Sequence, residues 1–194
     1  KGLPEGAEIT GIELSPLTNV VYVGIKVSDD RLNIYKFDIM DNLHFVMTTG
    51  TGTVYRTNMY SEYLVYQADD GGIMLRDGNS GNIAGIPVED ANLLLAVDDK
   101  DYIYAAACEG GNITRIYRGK AGQEVEDWAC IELDKPCGTA DVLISPDGLI
   151  YTVDVGESKV VNIENGTATG YEGELLELTR DYAVSVKNGR LVMT

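Results

Sequence analysis

The chain has 194 residues, 44% of them hydrophobic, enough to bury a substantial core, and no run approaches the roughly eighteen apolar residues of a membrane-spanning helix. Its 15 basic residues face 31 acidic ones, a net charge of −16. That balance excludes nucleic acid as a partner, because phosphate binding is driven by Lys and Arg releasing counterions, and it excludes adhesion to anionic membrane.

In chain order, the first apolar pair is IELS and VVYVG around Tyr22, joined by the polar turn Pro16-Leu17-Thr18-Asn19. Two further strands follow, Leu32 to Ile39 and Leu43 to Thr49. The pattern returns as VYRT, a turn over Asn58 to Glu62, and LVYQA around Tyr66, then Gly72 to Arg76 and Ile83 to Val88. A third unit has LLAV, a turn over Asp98 to Asp101, YIYAA around Tyr104, then Asn112 to Arg118 and Val125 to Leu133. The fourth is the most regular: VLIS, the turn Ser145-Pro146-Asp147-Gly148, and LIYTV around Tyr151, then Lys159 to Glu164 and Gly170 to Leu178. In that turn Pro146 presets φ, Asp147 can bond its own backbone, and Gly148 accepts a positive φ. A last hairpin reads AVSV, Lys187-Asn188-Gly189, RLVMT.

Short strands broken by Gly, Asn and Asp, with no stretch of helical periodicity, predict an all-β chain. Recurrence at about forty residues with four strands per unit is the signature of a β-propeller blade. The expected architecture is a single propeller domain with about four and a half four-stranded blades: residues 7–49, 50–90, 91–134, 138–178 and a half blade at 180–194. A propeller removes its sheet edges by closing. Lys1 to Gly6 are too few to complete the fifth blade, and the chain starts on Lys, so the expectation is part of a five- to seven-bladed ring, six favoured. Another segment or another chain would then complete the fifth blade.

The loops after each second strand carry the chemistry: Ser28-Asp29-Asp30, Asp69-Asp70-Gly71-Gly72, Glu109-Gly110-Gly111 and Asp154-Val155-Gly156-Glu157. The repeat places all four at one end of the blades. Asp29, Asp30, Asp69, Asp70, Glu109, Asp154 and Glu157 are therefore the candidate ligand or metal residues. Convergent carboxylates favour a bound cation, and oxygen ligands on flexible loops suit Ca²⁺. A small cationic ligand or a protein partner would serve the same charges, and ordinary solvent-facing turns are the alternative. The single histidine, His44, falls on the outer strand of blade one, so no Ser-His or Cys-His pair can be built at this end. Trp128 on an outer strand and the recurring Tyr22, Tyr66, Tyr104 and Tyr151 read as packing residues.

The cysteines are Cys108, Cys130 and Cys137. Cys108 ends a second strand and Cys137 is read as the entry to blade four, so these two could meet in a disulfide; three separate thiols is the alternative. Sequons at Asn112 and Asn165 lie near predicted turns and are candidate glycosylation sites. Together these features predict a secreted protein.

At PCGTADVLISPDGLIYTVDVGESKVVNI and LLLAVDDKDYIYAAACEGGNITRIYRG the chain resembles the NHL-repeat and senescence-marker-protein, or gluconolactonase-like, group of propellers. That resemblance implies that Asp154 stands where those enzymes place an aspartate ligand to their catalytic divalent metal. Their companion Glu and the Asn of an Asn-Asp-Gly motif have no match, Asn92 being nearest. A weaker likeness begins at ITGIELSPLTNVVYVG, which is similar to a blade of the insect yellow and royal-jelly proteins. The function expected is a non-enzymatic propeller that binds a ligand or partner through an acidic end face. The alternatives are a metal-dependent hydrolase or lactonase, and a structural module completed by strand exchange.

Overall fold

The computed structural model describes residues 6–15, 20–37, 42–57, 63–178 and 182–194. Among them, 19 strands form five antiparallel sheets, each in chain order. Blade one is β1 (Glu8–Ser15), β2 (Val20–Ser28), β3 (Arg31–Phe37) and β4 (Leu43–Thr49); blade two is β5 (Tyr55–Thr57), β6 (Tyr63–Gln67), β7 (Ile73–Asp77) and β8 (Ile83–Gly85). Blade three is β9 (Leu93–Val97), β10 (Ile103–Glu109), β11 (Asn112–Gly119) and β12 (Ala129–Gly138); blade four is β13 (Val142–Ile144), β14 (Ile150–Asp154), β15 (Lys159–Asn162) and β16 (Ala168–Gly170). The fifth sheet has three strands, β17 (Glu174–Leu178), β18 (Ala183–Lys187) and β19 (Arg190–Met193). The inner strands β1, β5, β9 and β13 touch one another in turn, and the fold is a β-propeller.

The core lies in layers between the blades. Tyr22, Leu32 and Ile34 of blade one meet Tyr55, Leu64 and Tyr66 of blade two. A second layer joins Val65 and Leu75 to Ile103, Ala105 and Trp128, a third joins Tyr104, Ile113 and Ile116 to Val142 and Ile150, and a fourth joins Val160 and Tyr171 to Leu178 and Ala183. Because a middle strand has a blade on each side, it is apolar on both faces rather than alternating. β10 shows this: Ile103, Tyr104, Ala105 and Ala106 are all inaccessible to solvent, and the run of alanines lets the neighbouring sheets approach.

The Ser145–Gly148 turn forms as its residues dictate. Gly148 sits at φ +89°, its N–H donates to the Ser145 carbonyl at 2.9 Å, and the Ser145 hydroxyl donates to Asp147 Oδ1 at 2.6 Å. Blade three's corresponding turn docks on it, with the Asp99 N–H donating to the Pro146 carbonyl at 2.9 Å. The Tyr104 hydroxyl lies 3.0 Å from both Asp98 Oδ2 and the Gly148 carbonyl, so one buried phenol ties the two turns together.

Several boundaries differ from the sequence expectation. Gly170 to Leu178 is not one strand: β16 stops at Gly170, and Glu174–Leu178 pairs with β18 as the first strand of blade five. The break is Gly173, at φ +85°, where a Cβ would lie 2.1 Å from the Val186 carbonyl oxygen. The half blade of two strands is therefore a sheet of three, and the Lys187-Asn188-Gly189 turn joins its second and third strands rather than its first and second. Val125 to Leu133 is also divided. Val125–Asp127 is a 3₁₀ turn, Trp128 follows it and packs its ring over Gly119, and β12 runs on to Gly138. The expected turns at Pro16 to Asn19 and Asn58 to Glu62, with Ile39, Arg180 and Asp181, lie outside the described residues.

Candidate functional site

The second hairpin of every blade turns at the same end of the propeller. In blade one, Ser28 donates to Asp30 Oδ1 at 2.7 Å, and this bond with the local backbone holds the Asp30 carboxyl below the usual carboxylate range; Asp29 is exposed and 3.3 Å from Lys26 Nζ. In blade two, Asp70 Oδ1 accepts the Gly72 N–H at 2.9 Å. In blade three, Glu109 leads into Gly110 and Gly111 at φ +58° and +82°, the two positive angles a tight hairpin of primed type requires. In blade four, Asp154 Oδ1 accepts the Glu157 N–H at 3.1 Å, while Lys159 stands 3.8 Å from Asp154 and 3.7 Å from Glu157. The matching hairpin of blade five is basic, with Lys187 and Arg190, and Lys187 Nζ bonds Glu172 at 2.6 Å.

The linkers between blades stitch these hairpins into a rim. Thr51, between blades one and two, donates its hydroxyl to the Asp29 carbonyl at 3.1 Å, and the Asp69 carboxylate lies over Gly50 where a Cβ would be only 1.6 Å from Oδ2. One linker thus holds two of the acidic loops. Between blades two and three, Gln67 Nε2 donates to the Asn92 carbonyl at 2.8 Å and Gln67 Oε1 accepts the Leu94 N–H at 3.0 Å. Asn92 in turn exchanges both hydrogen bonds of its side-chain amide with the backbone of Cys108, at 2.8 and 2.9 Å. Asn92 is therefore a strut between strands.

Between blades three and four a groove of about 670 Å³ runs along the blades from the β14–β15 hairpin to the β15–β16 turn at Gly166. One wall is β12. Ile113 pairs with Cys137 and Arg115 with Glu132, so Leu133, Asp134, Lys135 and Pro136 bulge out of register where β11 has only Thr114. The opposite wall is the β14–β15 hairpin, with Thr152, Asp154 and Val161. Ile131, Leu133, Cys137 and Ile163 form a half-buried apolar floor continuous with the core layer between the two blades. Among the described residues Glu132, Asp134, Asp141 and Asp154 line it, with Lys135 as the one basic group of the lining. Burial, and after it the charge of Asp141, push the Cys137 thiol up.

Of the residues expected at the site, only Asp154 reaches the groove; Asp29, Asp30, Asp69, Asp70, Glu109 and Glu157 stay on the rim. Ca²⁺ needs roughly six to eight oxygens around one point. Among the described residues no three acidic, Cys or His side chains gather as a metal ion requires. Asp154 instead caps its own turn and faces Lys159, so the residues present do not fit the divalent ion that the gluconolactonase likeness implies. The expected Cys108–Cys137 disulfide is also absent, all three cysteines being free. Cys137 is not the entry to blade four but part of outer strand β12, and Cys108 and Cys137 both register on Ile113 from opposite sides. Two strand spacings, about 10 Å, separate them, beyond the reach of a disulfide. Asn112 and Asn165 are both exposed, at the start of β11 and in the β15–β16 turn. His44 lies on outer strand β4. Glu132, Asp134 and Asp141 are the lining residues that sequence reasoning missed. Their one signal was Lys135-Pro136, since a proline inside a strand marks an edge or a bulge.

Neither a protein-family model nor a curated protein matches the chain. The fold does match solved structures, among them "Dihydro-heme d1 dehydrogenase NirN in complex with DHE", a β-propeller, at a TM-score of 0.55 and 12% identity over 94% of this chain and 40% of that one. The chain thus spans 40% of the length of that protein, and the likeness carries the propeller fold.

Proposed function

We propose that this chain is a non-enzymatic binding module that receives a cationic ligand or a basic partner on the acidic end of its blades. The observation that carries the reading is the groove between blades three and four, where four carboxylates and one lysine line an apolar floor that reaches the acidic hairpin of blade four at Asp154. Concave, partly apolar clefts with a few placed charges are where proteins hold ligands. A surface of one sign around such a cleft raises the local concentration of opposite charge. Nothing nucleophilic is primed there: the Cys137 thiol is pushed up rather than down, and the histidine is on β4.

The test is titration with spermidine, followed by backbone amide shifts at two ionic strengths. Shifts on the hairpins of blades one to four that weaken with salt support the reading. Shifts spread evenly over the molecule, or none, overturn it.

A second reading, strand completion of the fifth sheet, is favoured by β19, which among the described residues lies at the sheet's edge with Leu191 71% and Met193 62% exposed. An unpaired edge with apolar side chains is a template for another strand. Concentration-dependent association abolished by Leu191→Lys would establish it; a monomer at all concentrations would exclude self-pairing.

A further inference from the structure

We propose that the groove between blades three and four selects a primary ammonium or guanidinium on an aliphatic body, a specificity that rests on the binding reading above. Three features of its lining point there. The carboxylates of Glu132, Asp134, Asp141 and Asp154 outnumber Lys135 in the lining and Lys159 beside Asp154, so the complementary charge is positive. The floor of Ile131, Leu133 and Ile163 is aliphatic and belongs to a core layer left open to solvent, so the complementary body is aliphatic. Among the described residues no aromatic ring lines the groove. Quaternary ammonium groups, which cannot donate hydrogen bonds, are recognised by aromatic cages. Carboxylates reward instead a cation whose N–H groups can point at them. A volume of about 670 Å³ suits a compact ligand. A peptide added as a strand to β12 is disfavoured by the edge itself, where a bulge, Lys135 and Pro136 interrupt the line of backbone groups.

The experiment reads position and selectivity together. Hexylamine, hexylguanidine, hexyltrimethylammonium and 1-hexanol are each added to the full chain, and alkylation of Cys137, Cys108 and Cys130 by iodoacetamide is followed separately by peptide mass spectrometry. Cys137 is on the groove floor, so a ligand at ten times its dissociation constant should slow that site roughly tenfold, while exposed Cys130 keeps its rate. The expected order is hexylamine and hexylguanidine ahead of the trimethylammonium and the alcohol by about tenfold or more in affinity, the difference a hydrogen bond to a charged group makes. Asp141→Asn and Asp154→Asn should each narrow that gap while leaving 1-hexanol unchanged. Equal protection by all four compounds, or by hexyltrimethylammonium best of all, overturns the proposal. So does protection by a Lys-containing hexapeptide with none by hexylamine. If spermidine shifts the acidic hairpins while no amine protects Cys137, the groove specificity falls and the acidic-face reading stands; if spermidine also fails, both fall.

Discussion

Replacing Tyr104 by Phe tests what joins blades three and four. The side chain is wholly buried, and its hydroxyl stands 3.0 Å from Asp98 Oδ2 and from the Gly148 carbonyl. Burial first, then the negative charge of Asp98, hold that phenol far above its ordinary range, so it remains a donor throughout the working pH range. Asp98 is also buried, and its Oδ1 already accepts the N–H groups of Lys100 and Tyr102 at 2.8 and 2.9 Å. Phe keeps the ring in its core layer and removes only the donor, leaving a buried carboxylate oxygen short of one bond. A hydrogen bond to a charged group contributes about 1.5–3 kcal/mol, so the variant should lose about 2 kcal/mol, or roughly 4–8 °C in Tm for a chain of this size. Gly148→Ala attacks the same joint from the other side. Its φ is +89°, and a Cβ would sit 2.4 Å from Asp98 Oδ2 and 2.5 Å from the Tyr104 hydroxyl. Deleting the hydroxyl first removes part of that clash, so the double variant should cost about 0.5–1 kcal/mol less than the sum of the singles. Urea unfolding of the four proteins supplies all three numbers. A Tyr104→Phe loss below about 0.5 kcal/mol, or strict additivity, would refute the joint as described.

Gly119→Ala places a methyl 2.2 Å from the Trp128 ring, so the lone tryptophan should be displaced, with a red-shifted emission and a loss of about 1–3 kcal/mol. In the unliganded protein, iodoacetamide should modify exposed Cys130 before Cys137, and mild oxidation should leave Cys108 and Cys137 unlinked; peptide mapping reads both outcomes. Burial raises the Glu13 carboxyl more than Arg56 lowers it, so the native state holds that proton more tightly than the unfolded chain. The wild type should therefore lose stability relative to Glu13→Gln as pH rises from about 4, the ordinary carboxylate value, through the raised one; an opposite slope in pH-dependent unfolding would contradict the burial described. Thermal unfolding should not move on adding Ca²⁺ or a chelator, because no oxygen cage is assembled among the described residues; a shift of several degrees with Ca²⁺ would overturn that expectation.

The parts of the fold that local chemistry dictates were readable from residue types. The Ser145–Gly148 turn, the two-glycine hairpin after Glu109 and the buried tyrosines at Tyr22, Tyr66 and Tyr104 all sit where spacing and turn propensity put them. What escaped were features decided by pairing across the sheet. The strand over Glu174–Leu178 is as apolar as a fourth strand and as a first, and only Gly173, pressed against the Val186 carbonyl, separates it from the blade before. The bulge of β12 is likewise invisible along the sequence, since the four residues Leu133 to Pro136 declare themselves only against the single Thr114 they face. That bulge moved Cys137 onto an outer strand and removed the expected disulfide. It also raised the groove wall that carries Asp134, so the groove draws only Asp154 from the acidic loops and takes its other carboxylates from β12 and the turn after it.

The basic hairpin of blade five gives the acidic end of the propeller a lateral dipole. Carboxylates occupy the matching turns of blades one to four, and Lys187 and Arg190 occupy the fifth. A cation approaching this end would meet a field directed away from blade five and toward the acidic hairpins of blades one to four. Under the binding proposed above, arrival would be governed by long-range attraction, which salt screens, and residence by the half-buried aliphatic floor, which salt leaves alone. Reversing Lys187 and Arg190 to acidic residues should flatten the dipole and change the association rate with its salt dependence, leaving the dissociation rate to Ile131, Leu133 and Ile163.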